Sequence, residues 1–545
     1  MRRPAVRINQ LGYLPRGPKH AVWVSERLEP EEFRVVGRGA DVFRGATRPW
    51  PVRPEPTSGL AVHTLDFSGL RAEGTGFAIE VGGARSHPFA LAADLYRGLA
   101  RDALAFFYLQ RSGIAIDEGR APGYGRPAGH PGDRSVAAWT GPDAARLYPG
   151  WSCPGRFDVS GGWYDAGDHG KYVSSGALPL WQLLAAVELI RRRGRLSAWW
   201  AQTEALLLEE CRWQLDWLLR MQVPPGNPHA GMAFHRVHGT EWQPLPCWPH
   251  EDPTERVLHR PSTTATLHLA AVAAQGARVF SGAYAARLLS SALRAHRAAS
   301  TEPVLLAPDD QGAFGGGPYN DDDVEDDRAW AAAELWLATG DAAFADAARG
   351  AFAFDLAGFD FNRVAAAAAI DLALHGEGAD RLLAAADRLL AVQAAQPWGQ
   401  PYAPADGWDW GSNGLILNHL VVLAVAGESS ERAEHLDAAT RGLDYLLGCN
   451  ALGQSYVTGY GTDFTRHQRT RHFAHDLDPG FPPPPPGALA GGPASKEYAG
   501  FPADERVAGL PPQRRYLDEC TSETTNDVCI RWNAPLVWMA AFLTP

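Results

Sequence analysis

Over the first 87 residues the apolar positions fall in short runs, AVWV (21–24), FRVV (33–36), AVHTLDF (61–67) and FAIEV (77–81), separated by Gly and Pro. Runs of this length bounded by turn formers predict strands, and five to eight strands in so short a stretch predict a small sandwich. The pattern changes at Ser86-His87-Pro88. From ADLYRGLARDALAFFYLQRSG (93–113) onward the apolar positions recur at helical spacing. Further helices are expected near 174–193, 203–221, 262–281, 283–298, 327–339, 341–353, 363–375, 379–394, 411–427, 430–448 and 528–543. About a dozen helices without a short sequence repeat argue against a solenoid. They fit an α/α toroid whose consecutive helices alternate between inner and outer rings. The expected division is an all-β domain over 1–87 and an all-α domain over 88–545. Connections at 114–172, 222–261, 299–326 and 449–527 are longer than joining requires, so the chemistry is sought there.

Charge and composition narrow the classes. The 545 residues carry 62 acidic against 50 basic groups, a net charge of -12, which argues against nucleic acid or an acidic membrane as the main partner. No run of about 18 apolar residues occurs, so no membrane span is expected. The N-terminus shows no apolar signal core, so a cytoplasmic location is expected, or a secreted one if a signal was removed. Six cysteines form no C-x-x-C pair; reduced thiols are expected, with Cys520 and Cys529 the one close pair. The 19 Trp suit a sugar-stacking surface or an aromatic core equally.

The segment FDVSGGWYDAGDHGKYV (157–173) places Asp165 and Asp168 three apart in a Gly-rich turn before a helix. Carboxylates this close do not ionise independently, and one can hold a water while the other takes its proton. An Asx-turn with a helix cap is the plain structural alternative.

This segment resembles the catalytic signature of family 9 glycoside hydrolases, inverting cellulases built on an (α/α)6 barrel. RINQLGYLPRGPKHAVW (7–23) resembles the start of the immunoglobulin-like domain that precedes many such barrels. GMAFHRVHGTEW (231–242), GGGPYNDDDVEDDRAWAAAELWLATG (315–340), WDWGSNGLILNH (408–419) and TTNDVCIRWNAPLVW (524–538) resemble family segments in family order. The resemblance implies a small immunoglobulin-like sandwich followed by the barrel. It implies that Asp168 is the base, assisted by Asp165, and that the acid stands at Asp527. The family has Glu at that position, and Asp is shorter by one C–C bond, so Glu523, four residues earlier, is the rival acid. In GYGTDFTRHQRTRHFAHD (459–476) Arg471 keeps a family Arg, while Arg469 and Thr470 stand where the family has a His pair, and His467 matches an upstream His. Trp163, Tyr164, His169, His235, Tyr319, Trp330, Trp408, Trp410, His467, Arg469, Arg471 and Trp532 are the candidate sugar-binding groups.

Family members often hold structural calcium in the acidic loop. The resemblance implies Ca²⁺ at Asp322, Asp326 and Asp327; an acidic helix start favoured by the macrodipole is the alternative. Some relatives hold zinc between the first long helix and the Asp165–Asp168 turn. That stretch has His130 but only Cys153, so no zinc is expected. The implied activity is inverting hydrolysis of β-1,4-glucosidic bonds in cellulose-type glucans or cellodextrins, by a monomer acting on a β-linked oligo- or polysaccharide. An exo-acting cellodextrinase or glucosaminidase, and a non-catalytic sugar-binding relative, are the alternatives.

Overall fold

The computed structural model describes residues 3–498, 501 and 504–545, and the expected order holds: a β-sandwich, then a ring of helices. One sheet runs Val6–Arg7, His20–Val24, Val62–Asp66, Arg48–Pro49. The other runs Gly12–Tyr13, Phe89–Leu91, Gly74–Val81, Glu32–Gly37, Ala40–Ala46. Alternation decides which side is buried: Phe33 and Val35 turn in to meet Trp23, Leu65 and Ile79, while Glu32 and Arg34 face water. The strand Phe89–Leu91 carries the sandwich past the expected limit at residue 87, because Phe89 and Leu91 complete its core.

The helices are α1 (Arg97–Leu109), α2 (Val173–Arg192), α3 (Ala198–Met221), α4 (Thr263–Val279), α5 (Gly282–Thr301) and α6 (Glu325–Thr339). They continue as α7 (Ala345–Arg349, flanked by 3-10 turns), α8 (Ala365–Leu374), α9 (Ala379–Ala394), α10 (Ser412–Ser430), α11 (Ala433–Leu446) and α12 (Ile530–Leu543). The even-numbered helices touch one another in sequence, and α12 closes back on α2, so they form the inner ring. The odd-numbered ones pack outside. The sequence shows why: α5 buries one stripe, Leu288, Ser291, Ala292, Ala295 and Ala299, whereas α4 and α8 are buried nearly all round. Helix α2 is long and apolar enough to cross a membrane, but it lies inside the ring with 94% of its apolar window buried.

Inner helices approach closely where one side offers no Cβ. A Cβ on Gly414 of α10 would lie 2.1 Å from Cδ1 of Trp532 on α12. Ala gains about 1 kcal/mol over Gly in helix propensity, but overpacking a buried indole costs about 1–3 kcal/mol. Gly414→Ala is therefore expected to lower the denaturant midpoint and also kcat, because Trp532 lines the cavity described below.

The sandwich is seated on the ring through the motif Arg7-Ile8-Asn9-Gln10. Asn9 Nδ2 donates to Asp444 Oδ1 (2.7 Å) and Tyr96 (3.2 Å). Gln10 bonds the carbonyls of Leu447 and Gly453, and its Oε1 accepts from the amides of Thr462 and Asp463. The indole of Trp398 donates to Glu55 (3.1 Å).

Candidate active site

The long connections all precede inner helices, so their residues gather at one mouth of the ring. There they line a cavity of about 960 Å³. The Asp165–Tyr172 turn, ahead of α2, forms its floor. The turn closes when the Asp165 amide donates to the Gly170 carbonyl (3.0 Å). It is anchored from behind by buried charge. Lys171 sits on Asp133 (2.7 Å) and on the carbonyls of Val159 and Gly161, and Arg256 bridges Asp133 and the His169 carbonyl (2.8 Å). The paired cations hold Asp133 below the ordinary carboxylate range despite its burial.

Asp168 opens on the cavity, its Oδ2 accepting from the Gly170 amide and the Tyr172 hydroxyl, both at 2.9 Å. Asp165 lies behind it. Its oxygens accept from Ser175 and Tyr319, each at 2.5 Å, and Ile530 donates to its carbonyl (2.8 Å). Burial pushes Asp165 up to about 6, with Arg531 opposing and Asp168 adding to the rise. The Ile530–Asp165 bond and the Ala166–Cys529 bridge bring residues 365 and 363 apart in sequence side by side, which puts Asp527 on the same cavity. Gly167 permits this contact: a Cβ there would lie 2.4 Å from the Arg469 carbonyl oxygen and 3.0 Å from Asp527 Oδ1. Burial pushes Asp527 up to about 8, opposed by Arg469 and reinforced by Asp168. Asp168 and Asp527, the second favoured in its protonated form by burial, thus face one cavity, an arrangement that can offer a base and an acid together.

Glu523 also lines the cavity, but it is ion-paired with Arg469. Its carboxylate is occupied by that guanidinium, whereas Asp527 forms no ion pair among the described residues, so Asp527 is the better placed to donate. Of the candidate sugar-binding groups, Tyr319, Trp410, Arg469, Arg471 and Trp532 line the cavity. Arg471 is committed to carbonyls, Gly167 and Gln243 (3.1 Å each).

Seven candidates lie elsewhere. Trp163 is buried against Phe107 with its indole on Glu210, Trp330 packs on His268, and Trp408 is sunk against Tyr402. Stacking and core tryptophans have the same sequence signal, which is why these three stood out. Tyr164 and His169 are buried behind the turn, His235 is fixed between Ser262 and the Pro318 carbonyl, and His467 pairs with Asp476 (3.1 Å). Sequence reasoning missed Trp242, whose indole bonds the Gly312 carbonyl (2.8 Å) on the cavity rim, and the buried Arg531–Asp360 pair.

The acidic loop needs a correction. Asp322 is exposed, and Asp321, buried, takes its place beside Asp326 and Asp327, because the chain turns Asp322 outward before α6. Asp321 Oδ2 and Asp327 Oδ2 are buried without hydrogen-bond partners. Burial and the charge of Asp327 push Asp321 up to about 8 and Asp326 up to about 6. Other oxygens of the set are engaged: Asp327 Oδ1 bonds His268 Nε2 (2.7 Å) and Asp326 Oδ2 accepts from the Val364 amide (2.6 Å). His130, weighed above for zinc, and His169 both bond Asp252 Oδ2, at 2.9 and 3.0 Å, with ligand atoms spaced closely enough to share a metal ion; Asp252 and the grouping escaped sequence reasoning. Cys153 is not among them; its thiol lies near Asn227. All six cysteines are free.

The family model described as glycosyl hydrolase family 9 matches residues 96–540, and that described as cellulase N-terminal ig-like domain matches residues 2–86. Endoglucanase C of Cellulomonas fimi is 43% identical over 99% of this chain and 52% of its own, so the chain spans about half the length of that relative. A cellodextrinase of Butyrivibrio fibrisolvens is 30% identical over 98% of both chains. The crystal structure of a metagenome-derived glycoside hydrolase family 9 endoglucanase superposes with a TM-score of 0.86 at 31% identity, covering 99% of each chain.

Proposed function

The chain belongs to glycosyl hydrolase family 9, and from that premise we infer that it hydrolyses β-1,4-glucosidic bonds within cellulose-type glucans and cellodextrins. The observation that carries this reading is that Asp168 and Asp527 open on one cavity with Asp165 bonded behind them. Asp168 accepts a proton from water as the water attacks the anomeric carbon. Asp527 gives its proton to the departing glycosidic oxygen. The two changes occur in one displacement, so the configuration inverts. Tyr319, Trp410, Trp532 and Trp242 offer faces for pyranose rings. NMR of the first-formed anomer on a panel of β-1,4 oligomers tests the reading: α-product from glucose oligomers is expected, and β-product or no cleavage overturns it. The cellodextrinase that matches end to end favours a second reading, release of short units from one chain end. Products from a soluble polymer separate the two, since internal cuts lower viscosity well before reducing sugar accumulates.

A structural Ca²⁺ held by Asp321, Asp326 and Asp327 is part of this proposal. Its support is the unpartnered carboxylate oxygens and the mutual repulsion that a bound cation would relieve. Calcium at about 100 times its Kd would add about 2.7 kcal/mol. Chelation is expected to lower Tm by roughly 2 °C, and Asp326→Asn to abolish the calcium response. An unchanged Tm in both removes the ion from the account.

A further inference from the structure

We propose that Glu523 is a positioning residue that holds the Arg469 guanidinium away from the Asp527 carboxyl and thereby sets the alkaline end of the pH range over which Asp527 can donate its proton. The inference rests on the reading of Asp527 as the acid.

Arg469 cannot leave the neighbourhood of the acid. Its amide donates to the Asn526 carbonyl (2.8 Å), and residues 469 and 527 pair as a parallel bridge. Only the direction of its long side chain is free to vary. That direction is taken by Glu523, whose Oε1 accepts from Nη2 of Arg469, with a longer bond from Nη1 to the Cys520 carbonyl (3.5 Å). Glu523 opens the short helix Glu523–Asn526, which ends at Asp527, so guanidinium, carboxylate and acid lie on one stretch of cavity wall. Among the described residues Arg469 forms an ion pair with Glu523 and none within 4.0 Å with Asp527.

The other charged groups around the acid are fixed differently. Arg471, from the same loop, is bonded to the Gly167 and Gln243 carbonyls. Arg531, four residues on, is paired with Asp360. Asp168 and Asp165, from the floor, repel a second negative charge, and the Cys529 thiol is buried beside them. Arg469 is therefore the cation whose distance from Asp527 depends on one removable carboxylate. A cation that comes within about 4–6 Å of a carboxyl favours its ionised form and lowers its pKa by about 1–3 units. Arg469 already opposes the rise in Asp527 from its place on Glu523; brought nearer, it would strip the proton at lower pH, and Asp527 could not serve the leaving oxygen.

The test is the pH dependence of kcat/KM on one β-1,4 oligomer. In Glu523→Gln the alkaline limb is expected to move about one pH unit lower, with the acidic limb in place. In Arg469→Met the same limb should move higher, and the double variant should follow Arg469→Met, since nothing is left for Glu523 to restrain. Glu523→Gln with a uniformly lower rate and an unmoved limb overturns the proposal, as does Arg469→Met with an unmoved limb, which decides the matter even if Glu523→Gln fails to fold. Loss of activity at every pH in Glu523→Gln would make Glu523 the acid and also overturn it. A wild-type protein that cleaves no β-1,4 oligomer fails the activity reading instead, a result distinguishable from all of these.

Discussion

Asp168→Asn is expected to fold normally, bind oligosaccharide, and hydrolyse it about 10³-fold more slowly than the wild type. The substituted amide oxygen can still accept from the Gly170 amide and the Tyr172 hydroxyl, so the turn keeps both of its 2.9 Å bonds. What disappears is the proton acceptor for water. Asp165 cannot replace it, because its two oxygens are taken by Ser175 and Tyr319 and it does not line the cavity. The measurement is kcat on a soluble β-1,4-glucan with binding followed separately. Near wild-type turnover would place the base elsewhere.

Asp527→Asn should cost a similar factor on natural glycosides and much less on an aryl glycoside whose leaving group needs no proton. Equal losses on both substrates would show that Asp527 acts by shape alone. In the wild type Asp527 must hold its proton, so activity is lost as pH rises through about 8. Asp165 assists only when charged, so activity is lost as pH falls through about 6. Asp527 marks stability with the opposite sign. Its folded-state pKa lies above the unfolded value of about 3.9, so its ionisation weighs against the fold. The penalty is absent below about pH 4, grows up to about 8, and is full above that. Calorimetry should find the Tm advantage of Asp527→Asn widening across that window and levelling beyond it.

The inner helices were legible because an all-round apolar helix of this length has few places to be except between neighbours. The outer ones were legible by their single stripe. The strands Ala40–Ala46 and Phe89–Leu91 were not, since the first buries no side chain fully and the second is only three residues long, so only pairing partners reveal them. At the site, Asp165 and Asp168 could be read from their spacing and Gly-rich setting. Asp527 came from its place in a family motif. Trp163, Trp330 and Trp408 were misplaced because sequence does not distinguish an indole that faces a sugar from one that fills a core. The partnership of Arg469 with Glu523, and that of Arg531 with Asp360, joins residues 54 and 171 apart, which no local pattern encodes.

The seating of Asn9 and Gln10 on the ring bears on how the enzyme could be trimmed. Cutting away the sandwich would leave Asp444, buried and pushed far above the ordinary carboxylate range by that burial, without the amide that now satisfies it. The Trp398 indole and the loop amides of Thr462 and Asp463 would lose their acceptors in the same cut. An excised catalytic unit would thus start life with a raw polar wound where its neighbour used to rest, and would need new side chains there before it could stand alone.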